Sequence, residues 1–213
     1  SGLTLYSNPK TNNATFRAIN GGTLRMEAAI DNANGTLFTG PGSTLHLETT
    51  LTGGQVTGGG RLLMNSTAAL IGPITLGSGL TTAAESSITD LNGPITNNGI
   101  LRLGMPGGGS LANLNVNGAV TLQGNGNLVI QGSGRRLIER GNSSAADVLT
   151  VAAGQEITTS AGTVAGSQST GLKAGLVNDG IITADQGGIA LTHNAKTNNG
   201  TFRAINAGSL IIT

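Results

Sequence analysis

The sequence has no cysteine and no tryptophan, and only one tyrosine and three phenylalanines among 213 residues. Without cysteine there is no disulfide framework, no zinc–thiolate centre and no thiol nucleophile. Charged residues are also scarce, at 10% against roughly 25% in ordinary soluble domains. Helical bundles and coiled coils solvate their outer faces with Glu, Lys and Arg, so this composition argues against them. The 11 basic and 10 acidic residues nearly cancel and are scattered along the chain. The densest basic cluster, Arg135, Arg136 and Arg140, has Glu139 inside it. A nucleic-acid interface would need a basic stripe with stacking aromatics, and neither is present. No apolar run approaches the ~18 residues of a helical membrane span. What the chain does have is 36 glycines, and an apolar fraction of 37% carried mainly by Leu, Ile, Val and Ala.

Repeats organise these residues. Lys10-Thr11-Asn12-Asn13-Ala14-Thr15-Phe16-Arg17-Ala18-Ile19-Asn20 returns as Lys196-Thr197-Asn198-Asn199-Gly200-Thr201-Phe202-Arg203-Ala204-Ile205-Asn206, with one difference at an offset of 186 (196 minus 10). A shorter beat runs inside the long one. Asn or Asp, a small residue and an apolar pair recur at Asn13, Asn34-Gly35, Asn98-Gly99, Asn117-Gly118, Asp179-Gly180 and Asn199-Gly200. Asn13 to Asn34, Asn98 to Asn117 and Asp179 to Asn199 are each one step of ~20 residues, within the range of solenoid repeats. Between these corners lie short alternating strands such as Leu45-His46-Leu47, Leu101-Arg102-Leu103 and Val120-Thr121-Leu122. Each places two apolar side chains on one face.

Short strands, Gly/Asn corners and a beat of ~20 residues predict an all-β fold, a parallel β-solenoid with stacked rungs about 4.8 Å apart. The chain then forms one continuous segment, 1–213, of about ten rungs. Glycine serves the corners, where φ is positive, and equivalent Asn residues can stack into hydrogen-bonded ladders. The corner positions expected to carry this are Asn13, Asn34, Gly35, Asn98, Gly99, Asn117, Gly118, Asp179, Gly180, Asn199 and Gly200. Residues 77–93 and 131–147 are more polar and less periodic, and read as irregular excursions from the coil. An antiparallel sandwich would have longer strands and no reason to repeat on both a short and a long period.

The units Asn198-Asn199-Gly200-Thr201-Phe202-Arg203-Ala204 and Ala207-Gly208-Ser209-Leu210-Ile211-Ile212 resemble the β-helical rungs of large bacterial surface proteins, the autotransporter passengers and filamentous-haemagglutinin-like exoproteins. The similarity is one of style and covers most of the chain. It implies a single-stranded, right-handed parallel β-helix, export to the cell surface or medium, and a role as stalk or adhesive fibre. The signature secretion domain of either group is not seen.

A search for chemistry finds little. Glycosidases and lyases need carboxylates converging within about 5–10 Å; here Asp and Glu are dispersed, with Glu27 and Glu48 one rung apart. His46 and His193 lack companion ligands, so no metal is expected. Gly58-Gly59-Gly60 and Gly107-Gly108-Gly109 lack the Lys-Ser/Thr of a phosphate loop and read as corners. There is no Gly-x-Ser-x-Gly elbow. Thr50-Leu51-Thr52 does not recur at rung spacing, which argues against an ice-binding face. Arg17, Arg102 and Arg203 occupy matching slots but not adjacent rungs. No catalytic residue and no cofactor is expected.

The leading expectation is a structural or adhesive solenoid segment, not an enzyme. Its partners would be neighbouring repeats at both ends, since neither end carries a polar cap, and surface glycans or proteins. The opening Ser1-Gly2 reads as a cloning scar, and the segment as one piece of a tandem array. The alternative is a polysaccharide-binding or polysaccharide-cleaving β-helix, including a phage tail-spike type.

Overall fold

The structure is a computed structural model that describes residues 2–65, 67–85, 87–106, 108, 110–160, 163 and 170–213. Among these residues every regular element is a strand, and every ladder is parallel. The strands stack into a β-solenoid with three faces. Face one holds Gly2–Leu5, Thr23–Met26, Thr44–Leu47, Arg61–Met64, Thr81–Ala84, Ile100–Leu103, Asn127–Ile130, Glu156–Thr159, Ile181–Asp185 and Thr201–Ile205. Face two starts at Lys10–Thr11 and Ile30–Asp31 and ends at Arg136–Arg140, Thr170–Leu172, Gly188–Leu191 and Ser209–Ile212. Face three starts at Thr15–Ala18 and Thr36–Thr39 and ends at Val148–Val151, Gly175–Asn178 and Lys196–Asn198. Between those groups, four long strands, Thr50–Gly58, Ala69–Leu76, Ile88–Asn97 and Ala112–Gln123, bend across both faces.

Alternation along each strand makes the core. On face one the inward partners stack as Leu3, Leu24, Leu45, Leu62, Thr82, Leu101, Leu128, Ile157, Ile182 and Phe202. Up that column the residue number rises by 21, 21, 17, 20, 19, 27, 29, 25 and 20, which makes nine turns rather than ten. Leu24, Leu45, Leu62, Leu101, Leu128, Ile157 and Ile182 are all buried in one continuous core. Each such side chain contributes about 1.5–3 kcal/mol by leaving water. The core is narrow, which explains why rings are rare.

Among the described residues, the longer turns differ at their links. Residues 131–135 lie between Asn127–Ile130 of face one and Arg136–Arg140 of face two, and 141–147 joins face two to face three. The links before Ala112 and before Thr170 include residues outside the described ones. By contrast, only 85–87 separate Thr81–Ala84 from Ile88–Asn97.

The expected excursions need correction. Residues 77–93 stay in the coil, since Thr81–Ala84 pairs with Arg61–Met64 below and Ile100–Leu103 above. The rhythm fades there because Thr82 and Ala84 replace larger residues at inward positions. Residues 131–147 do contain two enlarged corners, but Arg136–Arg140 between them is a ladder strand of face two. Ser86, and Gly107 and Gly109 of the glycine triplet, lie outside the described residues.

Candidate functional site

The corner residues come first. Asn13 and Asn34-Gly35 turn the chain from face two to face three, and Asn117-Gly118 makes the same bend inside the long strand Ala112–Gln123. Asn98-Gly99, Asp179-Gly180 and Asn199-Gly200 turn it from face three to face one. Glycine serves these corners in two ways. Gly118 has φ +70° with open space around its Cα, the conformational use expected of it. Gly35 has no positive φ; a Cβ there would overlap the Asn12 carbonyl oxygen of the turn below. The positive-φ account thus covers only part of the glycines, and close stacking of successive turns covers others such as Gly35.

The ladder asparagines are the residues one or two places earlier. Asn12 and Asn32 are buried, and Asn12 Nδ2 donates to Asn32 Oδ1 at 2.7 Å. Asn178 Nδ2 donates to Asn198 Oδ1 at the same distance. Asn97 Nδ2 donates to Gln155 Oε1 at 3.3 Å, and Gln155 Nε2 returns to the Asn97 carbonyl at 2.7 Å. The sequence pattern marked the exposed neighbours because the apolar pair is counted from them.

The two copies of the eleven-residue segment occupy different faces. Thr15–Ala18 lies on face three, whereas Thr201–Ile205 lies on face one. Gly188–Leu191 is eight turns beyond Lys10–Thr11 on face two, and Lys196–Asn198 lies one face further on. An offset of 186 is therefore eight turns and a third. Two of the lysine contacts are nevertheless shared. Lys10 Nζ donates to the carbonyls of Tyr6 and Asn8, four and two residues back. Lys196 Nζ donates to those of Thr192 and Asn194, again four and two back, and to that of Ala174. Burial and the neighbouring Arg140 guanidinium lower the Lys196 pKa to about 8.

The outward side of face one carries the polar groups best placed for contact. Arg25 binds two carboxylates, with Nε 2.7 Å from Glu27 and Nη2 2.8 Å from Glu48. Its pKa is raised, first by the hydrogen bond to Glu48. His46 Nε2 lies 3.4 Å from Glu48 Oε1 and 2.8 Å from Asn65 Nδ2. Further along, Arg61, Glu85 and Arg102 line a cleft of about 370 Å³ with Thr44 and Thr81, floored by Gly59 and Gly60. Arg61 pairs with Glu85 across it. A second cleft, about 400 Å³, runs past Asn98, Asn125, Asn127, Gln155 and Glu156. Arg203 closes the row, reaching Glu156 at 3.1 Å and Thr183 Oγ1 at 2.8 Å.

The arginines matched in sequence part company here. Arg102 and Arg203 share a face-one column, separated by Val129, Thr158 and Thr183. Arg17 is on face three, its guanidinium 5.6 Å from the Phe38 ring centre. Glu27 and Glu48 are brought together, but both are held by one guanidinium on an open face. Each of the two clefts holds a single carboxylate, Glu85 or Glu156. His193 sits at a corner with positive φ, 2.6 Å from Thr192 Oγ1. Among the described residues, no three His, Asp or Glu side chains group as a metal site, and no helix is long and apolar enough to cross a membrane.

Sequence reasoning missed two buried charged groups. Arg136 is 0% exposed and sits at an inward position between Ala112 and Thr170. Its Nε donates to the Gln131 carbonyl at 2.8 Å, Nη2 to Gly108 at 2.9 Å, and Nη1 to Arg135 at 2.9 Å and to Ser110. Burial lowers its pKa. Asp147 is 1% exposed. Burial alone would raise its pKa, but N–H donors of Gly118, Ser144 and Asn142, with Arg140 nearby, bring it below the ordinary carboxylate value. Both residues close enlarged corners by hydrogen-bonding backbone groups of the corner segments. Their only sequence signal is charge inside an aperiodic stretch.

Comparison with family models, curated proteins and solved structures gave no match for this chain.

Proposed function

We propose that the chain is a rigid solenoid segment of an exported or cell-surface fibre, acting as a stalk or adhesin rather than as a catalyst. The observation that carries this reading is the uninterrupted nine-turn stack around one continuous core. Parallel ladders on three faces resist bending because each turn is hydrogen-bonded to its neighbours. Contact with surface glycans or proteins falls to the outward row of face one, where Arg, Glu, Asn and Thr side chains line shallow clefts on a stiff support.

The same row supports a second reading, polysaccharide binding, through the cleft of Arg61, Glu85 and Arg102. Cleavage is disfavoured because two carboxylates about 5–10 Å apart across a bound sugar are needed, and this cleft has one. In a tandem array that repeats at the offset of 186, each copy of the repeated segment would sit one face round from the last.

Two measurements test the proposal. Force spectroscopy of the chain should show a stiff rod that yields in steps of one or a few turns. A glycan array probed with the chain and with Arg61→Ala/Arg102→Ala should show binding that the double variant loses. A compliant chain in the first measurement would overturn the stalk. Sugar release from the array would overturn the non-catalytic reading.

A further inference from the structure

At the corner between faces two and three, the 141–147 link and the segment 192–195 stand apart and leave a cleft of about 260 Å³. Its floor is Gly175 and Leu176, and its walls include Val148, Val177 and Ala195. Gly175 keeps the floor open, since a Cβ there would come within 2.9 Å of Val148 Cγ2. Arg140 is the one charged residue in the lining.

The state of that arginine is unusual. It ends the strand Arg136–Arg140 in register with Val116, a core position. Its Nε is buried without a hydrogen-bond partner. Among the described residues the guanidinium forms no ion pair, whereas Arg25, Arg61, Arg135 and Arg203 all do. Asp147 is not its partner, because backbone N–H groups occupy that carboxylate. A buried guanidinium N–H without an acceptor costs free energy comparable to a lost charge-assisted hydrogen bond. Arg140 also lines the cleft, where a planar anion can accept from a guanidinium.

We propose that this cleft binds a small monocarboxylate with a short aliphatic arm, its carboxylate on Arg140 and its arm against Val148 and Val177. The apolar walls select against a bare inorganic anion. The volume lies below the ~300 Å³ at which pockets for drug-sized ligands begin, so the arm is short. The site lies away from face one and does not rest on the stalk reading.

The test is an amide NMR titration of the whole chain with sodium pentanoate. Pentanamide serves as the uncharged isostere and inorganic phosphate as the bare anion. Pentanoate should shift Gly175, Val177 and Ala195 saturably, with pentanamide and phosphate at least tenfold weaker. Arg140→Gln should weaken the pentanoate response at least tenfold, while Arg102→Gln leaves it unchanged. Should Arg140→Gln fail to fold, Thr197→Glu on the exposed rim should weaken binding by charge repulsion. Equal responses to pentanoate and pentanamide, equal responses to pentanoate and phosphate, no saturation, or full binding by these cleft variants would each overturn the assignment.

Discussion

From Leu3 to Leu101 each turn advances the chain by 17 to 21 positions, and from Leu101 to Ile182 by 25 to 29. The first region is held by stacked aliphatic columns and an Asn12–Asn32 corner ladder. The second keeps the same columns but adds longer corners, some of whose backbone groups take a side-chain partner. Single buried charges supply it, Arg136 for carbonyls and Asp147 for N–H groups. A solenoid can thus lengthen a turn without breaking its core, provided a side chain supplies the hydrogen bonds that the ladder no longer makes.

The comparison can be broken most directly at Arg136. Arg136→Met would remove the donor shared by four corner carbonyls, the Gln131 one buried, and should destabilise the chain by about 3–5 kcal/mol. Hydrogen exchange should show protection lost in 104–140 and kept in the turns before Leu101. Uniform loss would mean that the two regions are one cooperative unit.

Asp147→Ala should cost about 2–3 kcal/mol by stranding three backbone donors. The wild-type contribution has a defined sign with pH. A folded pKa below the ordinary carboxylate value gives stability that is present above pH 3.8. It is lost as pH falls through the lowered folded value. Denaturant melts of the wild type and of Asp147→Ala should therefore converge only in strong acid.

A smaller effect of opposite sign belongs to the regular region. Thr82 fills an inward slot between Leu62 and Leu101, and its hydroxyl has no partner. Thr82→Val keeps the shape and removes the unpaired group, so it should stabilise by about 1 kcal/mol. A loss in a denaturant melt would show that the slot is polar for a reason.

The smallest effect sharpens the boundary at the last turns. Lys196 should titrate near pH 8 in NMR of its side chain, and Arg140→Gln should raise that midpoint. Between about pH 8 and the ordinary lysine value of 10.5, the unfolded chain holds a proton that the folded chain has released. This group's contribution to stability therefore rises with pH across that window. An unshifted midpoint near 10.5 would show that the three carbonyls around Nζ outweigh burial.

Much of the architecture was legible because strand alternation and corner chemistry are local. Leu45-His46-Leu47 and Leu101-Arg102-Leu103 show their buried faces in three residues. Thr81–Ala84 was harder to read because Thr82 and Ala84 are too small or too polar to mark a core position. Arg136 could not be read at all, since its burial depends on carbonyls of 108, 110 and 131 that only the stacked turns bring around it. The face-one row is intermediate. Glu27 and Glu48 could be set one rung apart by counting, but that Arg25 joins them required the ladder register.

The repeated segment separates the two levels most clearly. By itself the sequence determined a portable corner. In both copies Lys reaches the carbonyls two and four residues back, and an Asn bonds to the asparagine of a neighbouring turn. Only the tertiary structure decided which face each copy takes. The lysine contacts are made within the segment and the few residues before it, so the segment fits at two different corners. The number of residues spent in the intervening turns, enlarged where Arg136 and Asp147 permit it, then fixes the phase at which the second copy arrives.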